Sequence, residues 1–416
     1  MAKYYIQGGN RLDGQLSVHG AKNAVLPILA AALLTDECVL HNCPHLTDVT
    51  AACNIMNYLG STTIRQGDTV VIRSGEMTSH DIPDDLMREM RSSVIFLGAI
   101  IARCKRARIS LPGGCELGPR PIDMHLAALE KLGVTITEDH GYLDCTVKGK
   151  LRGTSISLPF PSVGATENIM LVACTAEGDT VIHNPAREPE IEDLANFLNK
   201  AGANISLREN GTIHIQGVPK LGKLEYRVIP DRIAAATYLC CAAITGGSVL
   251  LRDVVPQHLM AIFPILEEMG CTLGWNGDTI SLTAPKRLRP VRSVRTMPYP
   301  GFPTDAQSPV MSLATLAEGT SVFVENIFEN RYKQAGELAR MGANIKVEGR
   351  VAIIQGVEQL HAATVVCTDL RGGASLCVAA LAAEGTSEIT HIHHIERGYQ
   401  DFERNLTLLG ASIRKA

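Results

Sequence analysis

The 416-residue sequence is poor in aromatic side chains: Phe, Trp and Tyr supply 4% of it, with one tryptophan, Trp275. A core short of large rings is closed by small and branched aliphatic side chains, so helices are expected to approach closely. Long hydrophobic runs are also lacking. The longest, "AVLPILAAALL" and "VIFLGAIIA", fall short of the roughly 20 apolar residues that cross a bilayer, and they read as buried helices. There is no surplus of basic charge. The net charge of −4 gives no bulk attraction to nucleic acid or to a membrane, so an anionic ligand has to be met by a local basic cluster. The start, "MAKYYIQGGNRLDG", has no apolar segment of a secretory signal, which predicts a cytoplasmic location. Neither a phosphate-cradling glycine loop nor a dinucleotide fingerprint is present, and no nucleic-acid motif appears. No cofactor and no metal is expected.

Twelve cysteines are present. They are scattered through apolar segments (Cys53, Cys104, Cys174, Cys240, Cys241, Cys377) and read as buried reduced thiols. Cys115 differs, because "ISLPGGCELGPRP" surrounds it with glycine and proline. In "CVLHNCPH", Cys38, His41, Cys43 and His45 have a spacing that matches no closed zinc site. "HIHHIERG" reads as a strand, with His391 and His393 on one face and His394 on the other, entering the loop of Arg397.

At this length one hydrophobic core is too small a frame, and two domains are expected. An internal repeat organises them. Six segments share one grammar at a period of about 70 residues: an alanine-rich helix, a break, a strand, a polar loop, an amphipathic helix ending in glycine, and further strands. The breaks and first strands are "TDECVL", "RARISL", "AEGDTVIHN", "TGGSVLLRD", "AEGTSVFVEN" and "AEGTSEITHI". The second helices end at "YLGSTTI", "KLGVTI", "KAGANI", "EMGCTL", "RMGANI" and "LLGASI", where glycine caps the helix and β-branched residues open a strand. The sixth unit stops at "ASIRKA" without a closing strand pair, and the N-terminal "KYYIQGGNRLDGQLSVHG" supplies one. Repeats one to three are therefore expected to form a domain over residues 22–229. Repeats four to six, completed by the N-terminal strands, form a second from residues 1–21 and 230–416. The first helix of each unit is apolar nearly all round and should be buried.

Placed in register, the polar residues gather at two positions. At the starts of the first helices stand Lys22 and Asn23, Arg91, Ser162 with Val163 and Gly164, Asp231 with Arg232, Asp305, and Asp369 with Arg371. Helix N-termini present unpaired N–H groups and positive dipole ends. The loops before the second helices carry Cys115 and Arg120, Arg187, Phe328 and Arg331, and Arg397. Arginines recurring in register suit a ligand with several phosphate or carboxylate groups.

At these residues the sequence resembles the enolpyruvyl transferase family over essentially its whole length. The resemblance is carried by "GAKNAVLPILAA", "LPGGCELGPRPIDMH", "PSVGATENIM", "PGFPTDAQ", "IFENRY", "TDLR" and "HIERGY", in that order. It implies an α/β, two-domain fold of six βαβαββ repeats, three per domain, with the helices inside (an inside-out α/β barrel), and a site between the domains. The implied reaction moves the enolpyruvyl group of phosphoenolpyruvate to the 3′-hydroxyl of UDP-N-acetylglucosamine and releases phosphate, through addition and then elimination. The family implies Cys115 as proton donor and as the site of a covalent adduct with phosphoenolpyruvate or the epoxide fosfomycin. A thiol, with a pKa of about 8.5, can donate and be recharged near neutrality. Asp305 is implied as the carboxylate at the sugar hydroxyl. Lys22, Arg120, Arg331, Arg371 and Arg397 are implied to hold phosphoenolpyruvate and its adduct, with Lys22 and Arg397 among the catalytic groups. Asn23, Arg91, the run Arg120, Pro121, Ile122, Asp123 and Met124, then Ser162, Val163, Gly164, Ile327, Phe328 and Asp369 map to the substrate-binding set, most of them on the nucleotide-sugar side. Pro121 is expected in the first turn of the helix that follows. Phe160 stands where some relatives carry a basic residue. Two alternatives remain: a related enzyme acting on shikimate 3-phosphate, and a catalytically silent protein that binds nucleotide sugar.

Overall fold

The structure, a computed structural model, describes residues 2–90, 92–110 and 122–416. The chain separates into two compact units, one formed by residues 2–19 and 230–416, the other by residues 20–110 and 122–229. Each has its own hydrophobic core. Gly20 and Ala21 group with the second unit, where the Ala21 amide donates to the Ile229 carbonyl at 2.8 Å.

In the first unit the helices Arg232–Ile244, Thr304–Ala314 and Leu370–Ala382 pack on one another at the centre. Every residue of Arg232–Ile244 is buried. Alanine, cysteine, serine and glycine on these helices keep the approach close, and the Ser312 hydroxyl donates to the Ser375 carbonyl at 2.8 Å across two of them. In the second unit Lys22–Ala32, Phe96–Cys104 and Val163–Ala173 hold the corresponding places. Strands surround the helices. Their burial alternates, as in Thr69–Ser74 and Val351–Gln355, so one face meets the helices and the other faces water.

Each repeat has one four-stranded sheet, six among the described residues. The closing strands are shared in a way the repeat pattern did not reveal. The last strand of each repeat leaves its own sheet and pairs in parallel with the first strand of the next repeat. Thus Leu224–Arg227 of the third repeat pairs with Glu37–His41 of the first, closing the ring of three. The two N-terminal strands take the places that the closing pair holds in the other repeats. Tyr4–Gln7 lies in the sixth sheet, between Thr386–Thr390 and Ser412–Lys415. Asp13–Ser17 instead pairs in parallel with Ser248–Arg252 of the fourth repeat. Each sheet borrows its edge strand from the preceding repeat, and no repeat is complete alone.

A recurring tripeptide locks the sheets to the helix ends. "IQG" closes the strands Tyr4–Gln7, Ile213–Gln216 and Val351–Gln355, giving Gly8, Gly217 and Gly356. Each faces an "AEG" break. Their amides donate to the carbonyls of Gly385, Gly178 and Gly319 at 3.1, 3.1 and 2.9 Å. A Cβ at these glycines would stand 2.0, 1.6 and 1.7 Å from the carbonyl oxygens of Ala383, Ala176 and Ala317. Backbone meets backbone there, and only glycine fits.

Candidate active site

In the first unit the three inner helices begin on aspartates. Asp231 caps its helix by accepting from the Ile233 and Ala234 amides, both at 2.8 Å. Asp369 does the same for the amides of Arg371 and Gly372, at 3.1 and 2.9 Å. Such caps contribute about 1 kcal/mol each. Asp305 is different. Its helix is preceded by Pro303, and Asp305 lies in the first turn without capping it, which leaves its carboxylate available to side chains.

Two of the predicted arginines converge on that carboxylate. Arg331 Nη2 is 2.9 Å from Asp305 Oδ1 and 3.1 Å from the Thr304 carbonyl oxygen. Arg371 reaches Asp305 Oδ2 with Nη2 at 3.1 Å and Nε at 3.3 Å. Both arginines are 2% exposed, against 26% for the Asp305 side chain. Arg371 lies over the Tyr399 ring at 5.3 Å, and the Tyr399 and Thr237 hydroxyls are 2.8 Å apart. Arg331 lies 5.6 Å from the Phe328 ring centroid. Ile327 and Phe328 are half-buried, and their amides donate to Glu325.

The strand expected through "HIHHIERG" stops at Thr390. His391 turns the chain with a φ of 57°, and His393–Glu396 is a short helix. That ends the predicted two-faced strand and places half-buried Arg397 at the helix C-terminus.

In the second unit Lys22 opens its helix and is 9% exposed. Its ammonium is 2.9 Å from the carboxylate of Asp48, itself 1% exposed. Asn23 beside it is half-buried. Ser162 caps the helix Val163–Ala173 through the Ala165 amide at 3.4 Å. Gly164 lies against His125, whose Cε1 would stand 3.0 Å from a Cβ there. Asn168 Nδ2 bonds His125 Nδ1 at 2.9 Å, and Asn168 Oδ1 accepts from the Gly98 amide at 2.6 Å. The amide donor makes Nδ1 the acceptor and leaves the imidazole proton on Nε2. Burial pushes the His125 pKa down to about 4, so the ring is neutral near pH 7. Ile122 is buried, Met124 half-buried and Asp123 exposed. Arg187 is exposed to solvent. The helix following the Cys115 segment begins at Asp123. Arg91, Cys115, Arg120 and Pro121 lie outside the described residues.

Cys38 and Cys43 are buried, and desolvation pushes both thiols up, Cys43 to about 12. His41 pairs with Glu225 at 2.6 Å. These are poor surroundings for thiolate ligands. Among the described residues no three His, Cys, Asp or Glu side chains group as a metal site, and the described cysteines are free. No helix among them is long and apolar enough to cross a membrane.

The structure therefore gathers Asp305, Arg331 and Arg371 within one unit, with Asp369 fixing the Arg371 backbone. In the other it seats Lys22 on Asp48 and sets Gly164 against His125. Sequence reading missed Asp48, His125, Asn168 and Glu325. A carboxylate in the first turn of an amphipathic helix was the one signal for Asp48. A polar residue inside an apolar helix was the signal for Asn168.

The sequence pattern of the family described as EPSP synthase (3-phosphoshikimate 1-carboxyvinyltransferase) matches residues 6–406. The chain belongs to this family of enolpyruvyl transferases. It is 51% identical over 415 residues to UDP-N-acetylglucosamine 1-carboxyvinyltransferase 2 of Caldanaerobacter subterraneus subsp. tengcongensis, covering 99% of each chain. It is 52% identical over 419 residues to UDP-N-acetylglucosamine 1-carboxyvinyltransferase 1 of Symbiobacterium thermophilum, covering 99% of this chain and 95% of that one. The UDP-N-acetylglucosamine 1-carboxyvinyltransferase of Endomicrobium trichonymphae is 48% identical over 415 residues, covering 100% of this chain and 99% of the other. Among solved structures, the enolpyruvyl transferase NikO from Streptomyces tendae superposes with a TM-score of 0.90 at 26% identity, covering 100% and 99% of the two chains. EPSP synthase from Acinetobacter baumannii shares the fold, with a TM-score of 0.73 at 20% identity over the full length of both. The two-domain enolpyruvyl transferase fold implied by the sequence blocks is the fold of this chain.

Proposed function

We propose that this chain is an enzyme that transfers the enolpyruvyl group of phosphoenolpyruvate to the 3′-hydroxyl of UDP-N-acetylglucosamine and releases phosphate. The observation that carries the reading is the convergence of Arg331 and Arg371 on Asp305, in a chain about half identical to three relatives of that name. The reaction needs anion-holding cations beside a carboxylate that can take a hydroxyl proton.

In the addition step the sugar 3′-oxygen bonds to the central carbon of the enol and loses its proton to Asp305. The terminal carbon takes a proton from Cys115. In the tetrahedral ketal that results, Lys22, Arg331, Arg371 and Arg397 offset the phosphate and carboxylate charge. In the elimination step a methyl proton returns to the Cys115 thiolate, the carbon–oxygen bond to phosphate breaks, the departing phosphate takes the proton held by Asp305, and the double bond returns. Asn23, Arg91, Arg120 to Met124, Ser162 to Gly164, Ile327 and Phe328 hold the nucleotide sugar. Fosfomycin alkylates Cys115. The product is the first committed intermediate of peptidoglycan, made in the cytoplasm.

Phosphate release tests the reading. Purified protein should release phosphate when phosphoenolpyruvate and UDP-N-acetylglucosamine are both present, and fosfomycin should stop it. Release with shikimate 3-phosphate alone as acceptor overturns the sugar assignment. Nucleotide-sugar binding without any release makes the protein a silent binder.

A further inference from the structure

Glu325 follows the strand Thr320–Val324 and is completely buried. A buried carboxylate persists only where donors replace its water. Glu325 has four such donors. Its Oε1 accepts from the Thr296 hydroxyl at 2.8 Å, the Ile327 amide at 2.7 Å and the Phe328 amide at 3.0 Å. Its Oε2 accepts from the Thr304 hydroxyl at 3.0 Å. Thr296 is itself tied into the same turn, accepting from the Asn326 amide at 2.8 Å.

These bonds complete a circuit. Thr304 is the first residue of the helix that carries Asp305. Its carbonyl, together with Asp305, receives Arg331. Arg331 is reached along the chain from the turn that Glu325 pins. One carboxylate thus sets both the start of the Asp305 helix and the turn bearing Ile327 and Phe328. Arg371 is placed separately, by the Asp369 cap on another helix.

We infer that Glu325 is a positioning residue of the site, holding the Ile327–Phe328 turn and Asp305 in mutual register for the nucleotide-sugar acceptor. Its kinetic consequence rests on the proposed function. Disturbance should fall first on kcat, through Asp305, and on the acceptor beside the Ile327–Phe328 turn, while Arg331, which is also in the circuit, carries a smaller part of it to phosphoenolpyruvate.

Two variants test this. In Glu325→Gln the amide oxygen still receives both backbone amides, and the Thr304 hydroxyl can turn to accept from the amide nitrogen. In Glu325→Asp the side chain is one methylene short and cannot reach both the turn and Thr304. Glu325→Asp should raise the KM for UDP-N-acetylglucosamine and lower kcat by about tenfold each, the size of one charge-assisted hydrogen bond. The KM for phosphoenolpyruvate, to which Arg331 contributes, should rise by clearly less than the KM for the sugar, and Glu325→Gln should stay near the parent throughout. Equal changes in both KM values, no change, or a Gln variant as impaired as the Asp variant overturns the inference. If Glu325→Asp does not fold, Thr304→Val removes one arm alone and should lower kcat, and an unchanged kcat there overturns the inference. Hydrogen exchange at the Ile327 and Phe328 amides reads the same circuit without turnover. If the parent is inert with both substrates, the functional reading fails. Faster exchange in Glu325→Asp would still uphold the positioning, and parent-like protection would refute it.

Discussion

Arg331 and Arg371 share one carboxylate, Asp305, at 2.9 and 3.1 Å. Two buried guanidiniums share that carboxylate, and the Asp231 carboxylate also acts on Arg371. Arg331 Nε and Arg371 Nη1 are buried and have no hydrogen-bond partner among the described residues. An anion is the chemical complement of that arrangement. Asp305→Ala removes the one carboxylate both arginines contact and should cost about 3 kcal/mol, as when one member of a buried pair is deleted. Thermal unfolding checks this. Phosphoenolpyruvate or phosphate should recover more of the melting temperature in the variant than in the parent, because the bound anion replaces the lost charge. Turnover should fall far more than calorimetric affinity for the nucleotide sugar. Equal losses of the two would remove Asp305 from the role of base.

Lys22 and Asp48 form the buried pair of the other unit, at 2.9 Å. Asp48→Asn should destabilise the chain by about 3 kcal/mol in urea unfolding, since an ammonium then remains buried beside a neutral group. The double replacement Lys22→Met with Asp48→Leu should restore most of that stability, because apolar side chains of similar volume often substitute for a buried pair without loss. It should not restore phosphate release. Recovery of activity together with stability would reduce Lys22 to a structural residue.

The difference between these two pairs shows what the sequence made legible. Lys22, Asp305 and Arg371 were readable because each stands where a polar residue interrupts the start of an apolar helix, a position that recurs with the repeat. Asp48 and Glu325 were not. Each looks like an ordinary charged residue beside a loop, and only tertiary packing reveals what its carboxylate receives. The repeat grammar gave the number of strands and the buried helices. It could not say that each closing strand crosses to the next sheet, because strand pairing partners are set by chain geometry rather than by local pattern. "HIHHI" misled because alternation mimics a strand, while the left-handed turn at His391 leaves no trace in the pattern.

Close backbone packing at the "IQG" ends gives a prediction with an internal control. Gly356→Ala would put a methyl carbon 1.7 Å from the Ala317 oxygen. Neither backbone can yield cheaply, and a loss of at least about 2 kcal/mol is expected. Gly336, on the exposed face of the helix Gln334–Arg340, has nothing within 4 Å of such a carbon. Gly336→Ala should be neutral or stabilising by up to about 1 kcal/mol. Chemical denaturation of the two variants side by side decides it, and a tolerated Gly356→Ala would contradict the packing.

Cys115 carries the chemistry assigned from family resemblance. Cys115→Asp should keep measurable phosphate release, because a carboxylic acid can also deliver a proton. It should not gain mass on incubation with fosfomycin, which the parent should do stoichiometrically. Alkylation of the variant at the parent rate would move the reactive nucleophile elsewhere.

Three buried titratable groups make the stability of the second unit depend on pH. Burial, followed by the charges of Glu190 and Glu188, pushes Glu167 up to about 8 from 4.5. Burial raises Asp193 from 3.8 to about 7, although the Tyr226 hydroxyl donates to its carboxylate at 2.6 Å. A carboxyl group held protonated in the fold adds stability at low pH. That contribution is lost as pH climbs from the unfolded value through the folded one, because the unfolded chain releases its proton first. His125 acts in the opposite sense. Its folded pKa of about 4 lies below its ordinary 6.5, so stability falls as pH drops through that window. Two carboxyls against one imidazole leave a net loss of stability as pH climbs from about 4 to about 8. Glu167→Gln mimics the protonated carboxyl and should flatten this decline, removing a slope of at most about 1.4 kcal/mol per pH unit. In urea unfolding the variant should lie closest to the parent at about pH 4 and exceed it by a growing margin up to about pH 8. Profiles that run parallel across that range would mean that Glu167 is already ionised in the folded protein.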